Sequence, residues 1–327
     1  MQTKTKNQDN EKNWGLVSLK KHFIIKSGDE NAGFTAYIKF ALNGILYAEQ
    51  HDLVPVVNFD NSIRNFFYEE SYGENTWEYY FEPVAEVSYA DVIANNLPKC
   101  TLKDRQFRNQ NSHPNPDRVD TFWKNDRKIG GDEHKGNPKE WLESKRKTAR
   151  QLMKKYVVVK PHIQKIVDNF VNENFNNKNI IGCHVRGTDF AYATATSVEK
   201  YFEILDTQKD VHIFLATDQT QYVDLFKNKY GNERVLTYDS LRSDNDVAAF
   251  ELENGSPYKK GEDVLIDTLL LSRANSIIKC AAAGGEFALW FNENLEVLHD
   301  FALESQFQKG GHWNRENTAF NRLGVDK

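Results

Sequence analysis

The sequence predicts an α/β protein with two lobes, of which the second is built on a doubly wound parallel sheet. The chain has 327 residues, more than the roughly 250 to 300 residues that a single hydrophobic core usually organises. Short apolar runs alternate with segments of helical period in both halves, which is the pattern of parallel strands joined by helical crossovers. Because 39% of the residues are hydrophobic and 27% are charged, the composition is typical of folded domains and not of a disordered chain.

The first strand, helix and strand unit lies close to the N-terminus. Residues 22–26 (HFIIK) predict a short buried strand, and the glycine-containing loop 27–33 follows it. From Phe34 to Leu46 the apolar residues recur at helical spacing, and the apolar run LVPVVNF comes next. This order of elements is that of a parallel crossover.

The middle of the chain contains the predicted junction between the lobes. Residues 60–140 are rich in Asn, Asp, Tyr and Trp and have irregular periodicity, so we expect mixed helices and a long loop there. Two helices are predicted to follow, at 140–156 and 161–175. We place the junction between them, with an N-terminal lobe at 1–155 and a C-terminal lobe at 156–327.

The second half alternates strands and helices more clearly than the first. The predicted strands are 179–185, 211–217, 234–239 and 275–280, and the predicted helices are 197–205, 219–230, 262–272 and 284–291. Doubly wound sheets bind their ligands at the carboxyl ends of the strands. Residues directly after each predicted strand are therefore the first candidates for a functional site.

A polar motif, HVRGTD, follows the first of these strands. Alternation along the strand places His184 and Arg186 on one face, and Gly187 allows close approach of the backbone. A guanidinium at this point can bind a phosphate through two parallel hydrogen bonds. The alternative is an arginine and aspartate surface pair that closes the loop.

Two further carboxylates come at informative positions. Thr217 and Asp218 end the next predicted strand, where Asp218 is either a ligand-binding residue or the N-cap of the following helix. Asp267 interrupts the apolar run VLIDTLLLS, and a carboxylate there requires a partner. A guanine edge, which offers two N–H donors, is one such partner; a buried arginine or backbone amides are others.

Three blocks of this chain resemble the donor-site motifs of a known superfamily. IIGCHVRGTDF, HIFLATD and YKKGEDVLIDTLLLSRANSIIKC are similar to those of the alpha-1,6-fucosyltransferases, nodulation fucosyltransferases and protein O-fucosyltransferases. The resemblance covers roughly residues 22 to 60 and 140 to 298. It implies a GT-B architecture, in which two Rossmann-like, doubly wound lobes have the active site in the cleft between them. The acceptor is then expected on the N-terminal lobe and a GDP-sugar donor on the C-terminal lobe. It also implies inversion at the sugar without a metal or any other cofactor.

The resemblance assigns roles to individual residues. Arg186 is expected to hold the β-phosphate and stabilise the GDP leaving group, while His184 and Asp267 contact the nucleoside. Asp189 is expected to orient Arg186 or its loop. The remaining residues assigned to the donor side are Gly187, Thr217, Asp218, Ser272, Ala283 and Gly284.

The chain departs from the core-fucosylating branch at two places. That branch has a serine beside the donor phosphates, whereas this chain has CAAAGG, with Ala282 or Ala283 at the matching position. The backbone amides of Gly284 and Gly285 are expected to substitute, because a helix N-terminus attracts anions. The branch also has a glutamate shortly after the arginine motif, and the stretch AYATATS lacks it.

The catalytic base is therefore not identified by the resemblance. The candidates are Asp29 and Glu30 in the first loop, together with Asp189. Asn31 and Gly33 of the same loop are expected to line the cleft. A solvated loop that caps the next helix is the alternative for Asp29 and Glu30.

Two other hypotheses follow from the residues. Asp244 and Asp246 form a DxD pattern, which indicates either a metal-dependent transferase or an ordinary acidic turn. The missing serine and glutamate are compatible with a catalytically impaired GDP-sugar-binding protein. The aromatic cluster at 77–81 predicts either a sugar-stacking wall or core.

Charge and cysteine content limit the partners and the compartment. The formal net charge is -5, so the chain lacks the basic excess of nucleic-acid-binding proteins. Its three cysteines lack metal-site spacing and are expected to be reduced, and we find no signal-like or membrane-spanning apolar stretch. We expect a cytoplasmic enzyme, with peripheral membrane contact still compatible, that transfers fucose or a related deoxysugar to a glycan acceptor in bacterial polysaccharide biosynthesis.

Overall fold

The protein is an α/β structure with two parallel sheets, which confirms the fold class. The computed structural model describes residues 20–27, 33–62, 64–101, 138–188, 196–280, 282–301 and 303. Within these residues the three-stranded sheet has the order β2-β1-β3, and the five-stranded sheet has the order β6-β5-β4-β7-β8. The strands are β1 His22–Ile25, β2 Val54–Val57, β3 Lys99–Thr101, β4 Ile180–Val185, β5 His212–Thr217, β6 Val235–Leu236, β7 Ser276–Lys279 and β8 Glu296–Asp300.

Helices cover the faces of both sheets. The helices are α1 Phe34–Gln50, α2 Trp77–Tyr80, α3 Tyr89–Ala94, α4 Pro138–Tyr156, α5 Pro161–Asn174, α6 Val198–Leu205, α7 Thr220–Tyr230, α8 Pro257–Ser272 and α9 Ala283–Phe291. Short 3-10 turns occur at Glu70–Tyr72, Val84–Glu86 and Ala249–Glu251. One continuous cluster of buried apolar side chains contains residues of both sheets, including Phe23, Ile25, Phe214 and Ile277.

The five-stranded sheet has the strand order of a doubly wound nucleotide-binding fold. Numbered along the second half of the chain, its strands run 3-2-1-4-5, and all their pairings are parallel. The strand order therefore reverses between β4 and β7. In open parallel sheets a crevice forms at this switch point, outside the carboxyl ends of the strands.

The structure differs from the sequence-based prediction mainly at sheet edges. Strands β3 and β8 were not predicted, because short edge strands such as KCT and EVLHD lack a strong apolar pattern. Helix α8 starts earlier than predicted, since the Ser256 hydroxyl accepts the Lys259 N–H and Pro257 fits the first turn. Strand β6 is shorter than predicted, with two residues.

The aromatic cluster predicted as either a sugar wall or core is core. Trp77, Tyr79, Tyr80 and Phe81 are each at most 4% exposed. The Tyr80 hydroxyl donates to the backbone oxygen of Tyr258 at 2.9 Å, which joins the segment between β2 and β3 to the start of α8. These rings therefore form part of the contact between the two halves of the chain.

A glycine in α8 makes this contact possible. A methyl group at Gly261 would lie 2.3 Å from the Tyr80 hydroxyl and 3.0 Å from a ring carbon of Phe34. We expect Gly261→Ala to lower the free energy of unfolding by about 1 to 3 kcal/mol, the usual effect of overpacking. Urea unfolding would measure the change, and combining it with Tyr80→Phe should recover part of the loss. Full additivity of the two substitutions would contradict this account.

The described residues include no helix that combines the length and the apolar character required to span a membrane. Cys100, Cys183 and Cys280 are all free thiols.

Candidate active site

The candidate site lies where β4, β5 and β7 end. Val185 and Thr217, which end β4 and β5, are paired in register, and His184 is paired with Lys279 at the end of β7. The motif HVRGT therefore leaves the sheet beside the switch point. Helix α9 begins on the other side of this point, after β7.

Arg186 has one end of its guanidinium fixed and the other end available. Its Nε donates to the backbone oxygen of Thr188 at 3.0 Å and lies 3.1 Å from Oδ2 of Asp218. Within the described segments its two Nη groups make no hydrogen bond, and the side chain is 26% exposed. A guanidinium held in this way can present its terminal N–H groups to two oxygens of a phosphate.

Asp218 organises the loop that carries Arg186. Its Oδ1 accepts the Gly187 N–H at 2.6 Å, and its Oδ2 accepts the Thr188 hydroxyl at 2.5 Å. The N-cap alternative for Asp218 is wrong, because Gln219 is the N-cap of α7 and makes no side-chain cap. The orienting role expected of Asp189 is therefore performed by Asp218 among the described residues, while Asp189 itself lies outside them.

The side chain of Gln219 leaves no space for a larger residue at Gly187. A methyl group there would lie 2.3 Å from Oε1 of Gln219. The Gln219 amide is held in place, since its Nε2 donates to the backbone oxygen of Asn245 at 2.6 Å. Thr217 is buried, and its hydroxyl accepts the Gln219 N–H at 3.3 Å. The loop is thus packed tightly on the end of β5.

His184 is held against the first turn of α9. Its Nδ1 accepts the backbone N–H of Gly285 at 3.0 Å. Because a backbone N–H can only donate, the ring hydrogen of the neutral imidazole is on Nε2. A methyl group at Gly284 would lie 2.8 Å from Nε2, so this glycine gives the ring its space. Nε2 makes no hydrogen bond to any residue that the structure describes, and it can donate to a ligand.

The start of α9 has the form of an anion site, with one amide already in use. Its N-cap is Ala282, which supplies no side-chain cap, so the amides of the first turn are left without a capping oxygen. The Gly285 N–H, which was expected to replace the missing serine, is bonded to His184. The amides of Ala283 and Gly284 are therefore the ones that remain suitable for a phosphate.

Asp267 has one unsatisfied carboxylate oxygen. Its Oδ2 accepts the Ser240 hydroxyl at 2.9 Å, whereas Oδ1 is buried without a partner in the described part of the chain. Burial raises the pKa of Asp267 to about 7, although the nearby Arg242 guanidinium and the Ser240 hydrogen bond act in the opposite direction.

Arg242 is a residue that the sequence analysis missed. Its two Nη groups donate to the backbone oxygens of Ser240 and Tyr238, at 3.1 and 2.6 Å. Its Nε is buried and has no partner among the described residues. An unsatisfied donor thus lies in the same neighbourhood as the unsatisfied acceptor on Asp267. The available signal was its position shortly after the predicted strand 234–239.

Two residues that the sequence predicted for the site, Ser272 and Gly33, lie apart from the residues described above. Ser272 ends α8 and is followed by the start of β7, so it lies at the amino edge of the sheet. Its hydroxyl is buried and donates to the backbone oxygen of Leu269 at 2.6 Å. Gly33 precedes α1 and lies near Phe250 of the second half. A methyl group at Gly33 would be 3.4 Å from the Phe250 ring. Asp29, Glu30 and Asn31 lie outside the described residues.

A cavity of about 490 Å³ lies beside the loop after β6. Its lining includes Asp239, Ser240, Arg242, Asp244, Lys259 and Asp263. Of the DxD pair, Asp244 therefore lines the cavity and Asp246 does not. No cluster of three or more carboxylates, imidazoles or thiolates suited to a metal ion occurs among the residues with described positions.

No protein-family model and no curated protein matches the chain. Among solved structures, it is similar to NodZ alpha-1,6-fucosyltransferase co-crystallized with GDP, with a TM-score of 0.46 and 18% identity over 82% of this chain and 91% of that one. It is similar to fucosyltransferase NodZ from Bradyrhizobium, with a TM-score of 0.45 and 18% identity over 82% and 92%. For the apo-form of POFUT1, the TM-score is 0.45 and the identity is 11% over 86% and 98%. The structural match to these fucosyltransferases therefore extends over most of the chain.

Proposed function

We propose that the protein is an inverting glycosyltransferase that transfers fucose or a related deoxysugar from a GDP-sugar to a glycan acceptor. The observation that carries the proposal is Arg186, which lies at the switch point of a doubly wound sheet and whose two Nη groups have no hydrogen-bond partner among the described residues. The resemblance of three sequence blocks to fucosyltransferase donor motifs supports it. The sugar is accepted by a hydroxyl group of a glycan or glycoconjugate.

The leaving group requires fixed positive charge. When the bond between the anomeric carbon and the phosphate oxygen breaks, negative charge grows on the diphosphate of GDP. In this proposal the charge is stabilised by Arg186, whose Nε is already fixed, and by the amides of Ala283 and Gly284, which have no side-chain cap. The residues therefore supply in this chain what a metal ion supplies in other transferases.

The guanine of the donor is recognised by hydrogen-bond complementarity. Guanine presents two neighbouring N–H donors, at N1 and the 2-amino group, and the buried Oδ1 of Asp267 is an acceptor without a partner. Adenine presents an acceptor at N1, so it would leave Asp267 unsatisfied. His184, with its hydrogen on Nε2, can donate to a ribose or phosphate oxygen.

Calorimetric titration of the full chain with GDP, ADP and UDP tests the proposal. We expect GDP to bind roughly 10- to 100-fold more tightly than ADP, because the wrong base leaves a buried acceptor unpaired. Binding should persist in EDTA. Loss of GDP binding in EDTA would favour the metal-dependent alternative through Asp244 and Asp246. The absence of GDP binding under all conditions would contradict the proposed function.

A second candidate is a GDP-sugar-binding protein without transferase activity. It is favoured by the alanine, Ala282 or Ala283, where the core-fucosylating branch has serine, and by the engagement of the Gly285 amide with His184. This candidate predicts GDP binding in the titration with neither sugar transfer nor release of free sugar from GDP-fucose. Detection of either product would exclude it.

A further inference from the structure

Four buried charged side chains meet behind the candidate site. They are Arg146 of α4, Lys279 of β7, Glu286 of α9 and Asp300 of β8, and each is at most 7% exposed. Two positive and two negative charges balance one another. Four different elements, including the helix that precedes the second half of the chain, thus converge on one polar cluster.

The hydrogen bonds within this cluster are short and largely bidentate. Arg146 donates from Nε to Oε1 of Glu286 at 2.7 Å and from Nη2 to Oε2 at 2.8 Å. The same Nη2 donates to Asp300 at 2.8 Å. Lys279 donates to Asp300 at 2.8 Å and lies 3.2 Å from Glu286. Glu286 therefore has both carboxylate oxygens held by Arg146.

Glu286 is covalently next to the residue that holds His184. The Gly285 N–H donates to Nδ1 of His184 at 3.0 Å. A methyl group at Gly285 would lie 2.8 Å from Cβ of Lys279 and 2.9 Å from Nδ1 of His184. The first turn of α9 thus packs against the paired ends of β4 and β7, where it contacts both Lys279 of the buried cluster and the imidazole of His184.

We propose that Arg146 is a positioning residue for the candidate donor site, acting on His184 through Glu286 and Gly285. By holding Glu286, the guanidinium fixes the first turn of α9 and keeps the Gly285 N–H directed at Nδ1. The imidazole then keeps its hydrogen on Nε2, the atom offered to a ligand. The effect on ligand binding rests on the proposed function of His184, whereas the effect on the imidazole does not.

The energetics favour a positioning role over a purely stabilising one. Burying ions carries a desolvation penalty, and replacing such networks by apolar side chains is often neutral or stabilising. A network at this place has the further effect of setting one geometry for the helix start. The bidentate bond is important here, because it fixes the direction of the Glu286 carboxylate as well as its distance.

Nitrogen-15 NMR of the histidine side chains in the full-length Arg146→Met variant tests the proposal directly. His184→Asn in the wild-type background identifies the His184 signals. We expect the wild type to show the tautomer with hydrogen on Nε2, and the variant to show a mixture of tautomers or an exchange-broadened ring. GDP affinity should fall roughly 3- to 10-fold, as for residues that support a site without touching the ligand.

Arg150→Met is the matched control. Arg150 lies one turn further along α4 and also contacts α9, through its Nε and the backbone oxygen of Leu289 at 2.9 Å. It makes no contact with Glu286. We expect this variant to lose some stability but to keep the His184 signals and the GDP affinity of the wild type. Equal changes in the His184 signals of both variants would show that Arg146 has only a structural role and would overturn the proposal.

The double variant Arg146→Met/Glu286→Leu covers the possibility that the single variant does not fold. It removes one positive and one negative charge and leaves the pair of Lys279 and Asp300. We expect the same change in the His184 tautomer. A folded double variant with unchanged His184 signals would contradict the proposal. If the wild type shows the expected tautomer but no GDP binding, the proposed function fails while the positioning role is still tested.

Discussion

Arg186→Ala is expected to weaken GDP binding by at least roughly 30-fold, because truncating one partner of a desolvated charged pair usually costs about 2 to 5 kcal/mol. The guanidinium is anchored at Nε by Thr188 and Asp218, and no residue with a described position bonds to its two Nη groups. Alanine removes the only part of the side chain that can meet the diphosphate. Isothermal titration with GDP measures the loss.

Two variants make the result specific. Arg186→Lys retains the charge but not the planar fork, and we expect an intermediate affinity. Arg273→Ala removes an arginine directly after α8, at the opposite edge of the sheet, where it pairs with Asp168 at 2.9 Å. This control should bind GDP as the wild type does. Unchanged GDP affinity in a folded Arg186→Ala variant would remove the main support for the proposed function.

GDP affinity is expected to depend on pH through Asp267. Burial raises the pKa of this carboxyl to about 7 in the free protein, so at pH 6 about nine in ten molecules carry a proton there. Guanine N–H groups require the ionised form as acceptor, and binding must release that proton. We therefore expect the affinity to fall about tenfold from pH 8 to pH 6.

Asp267→Asn should remove this pH dependence, since its amide oxygen still accepts but does not titrate in this range. Titrations in buffers of different ionisation enthalpy would detect proton release by the wild type and none by the variant. A wild-type affinity that is flat between pH 6 and pH 8 would contradict the assignment of Asp267 to the base. Arg186→Lys should retain the pH dependence, because the two contacts are separate.

The same carboxyl is expected to affect stability, and the sign follows from the direction of its shift. The pKa of Asp267 is raised in the folded protein, so between its ordinary value of about 4 and the folded value the native state binds more protons than the unfolded state. Its contribution to stability is present at low pH and is lost as the pH rises towards 7. The melting temperature of the Asp267→Asn variant should therefore exceed that of the wild type by more at pH 8 than at pH 5. An equal difference in melting temperature at the two pH values would contradict this.

Local patterns in the sequence were sufficient to predict the fold class and the edge of the sheet that bears the site. Apolar runs separated by segments of helical period predicted β4, β5 and β7, and the structure has all three in parallel. Because the carboxyl ends of parallel strands share one edge, residues that follow separate strands come together there. Arg186, Asp218 and the start of α9 could be placed at this edge from the sequence alone.

What the chain determines locally is thus which residues reach the edge of the sheet, and the tertiary structure decides what each of them bonds to. Asp218 holds the Arg186 loop across 31 residues, Gly285 meets His184 across 101, and Arg146 meets Glu286 across 140. Helical and strand periodicity describes neighbours within one element and contains no information on such distant pairs. These contacts arise only when the sheet, α4 and α9 pack together, because burial then makes an unpaired polar group costly.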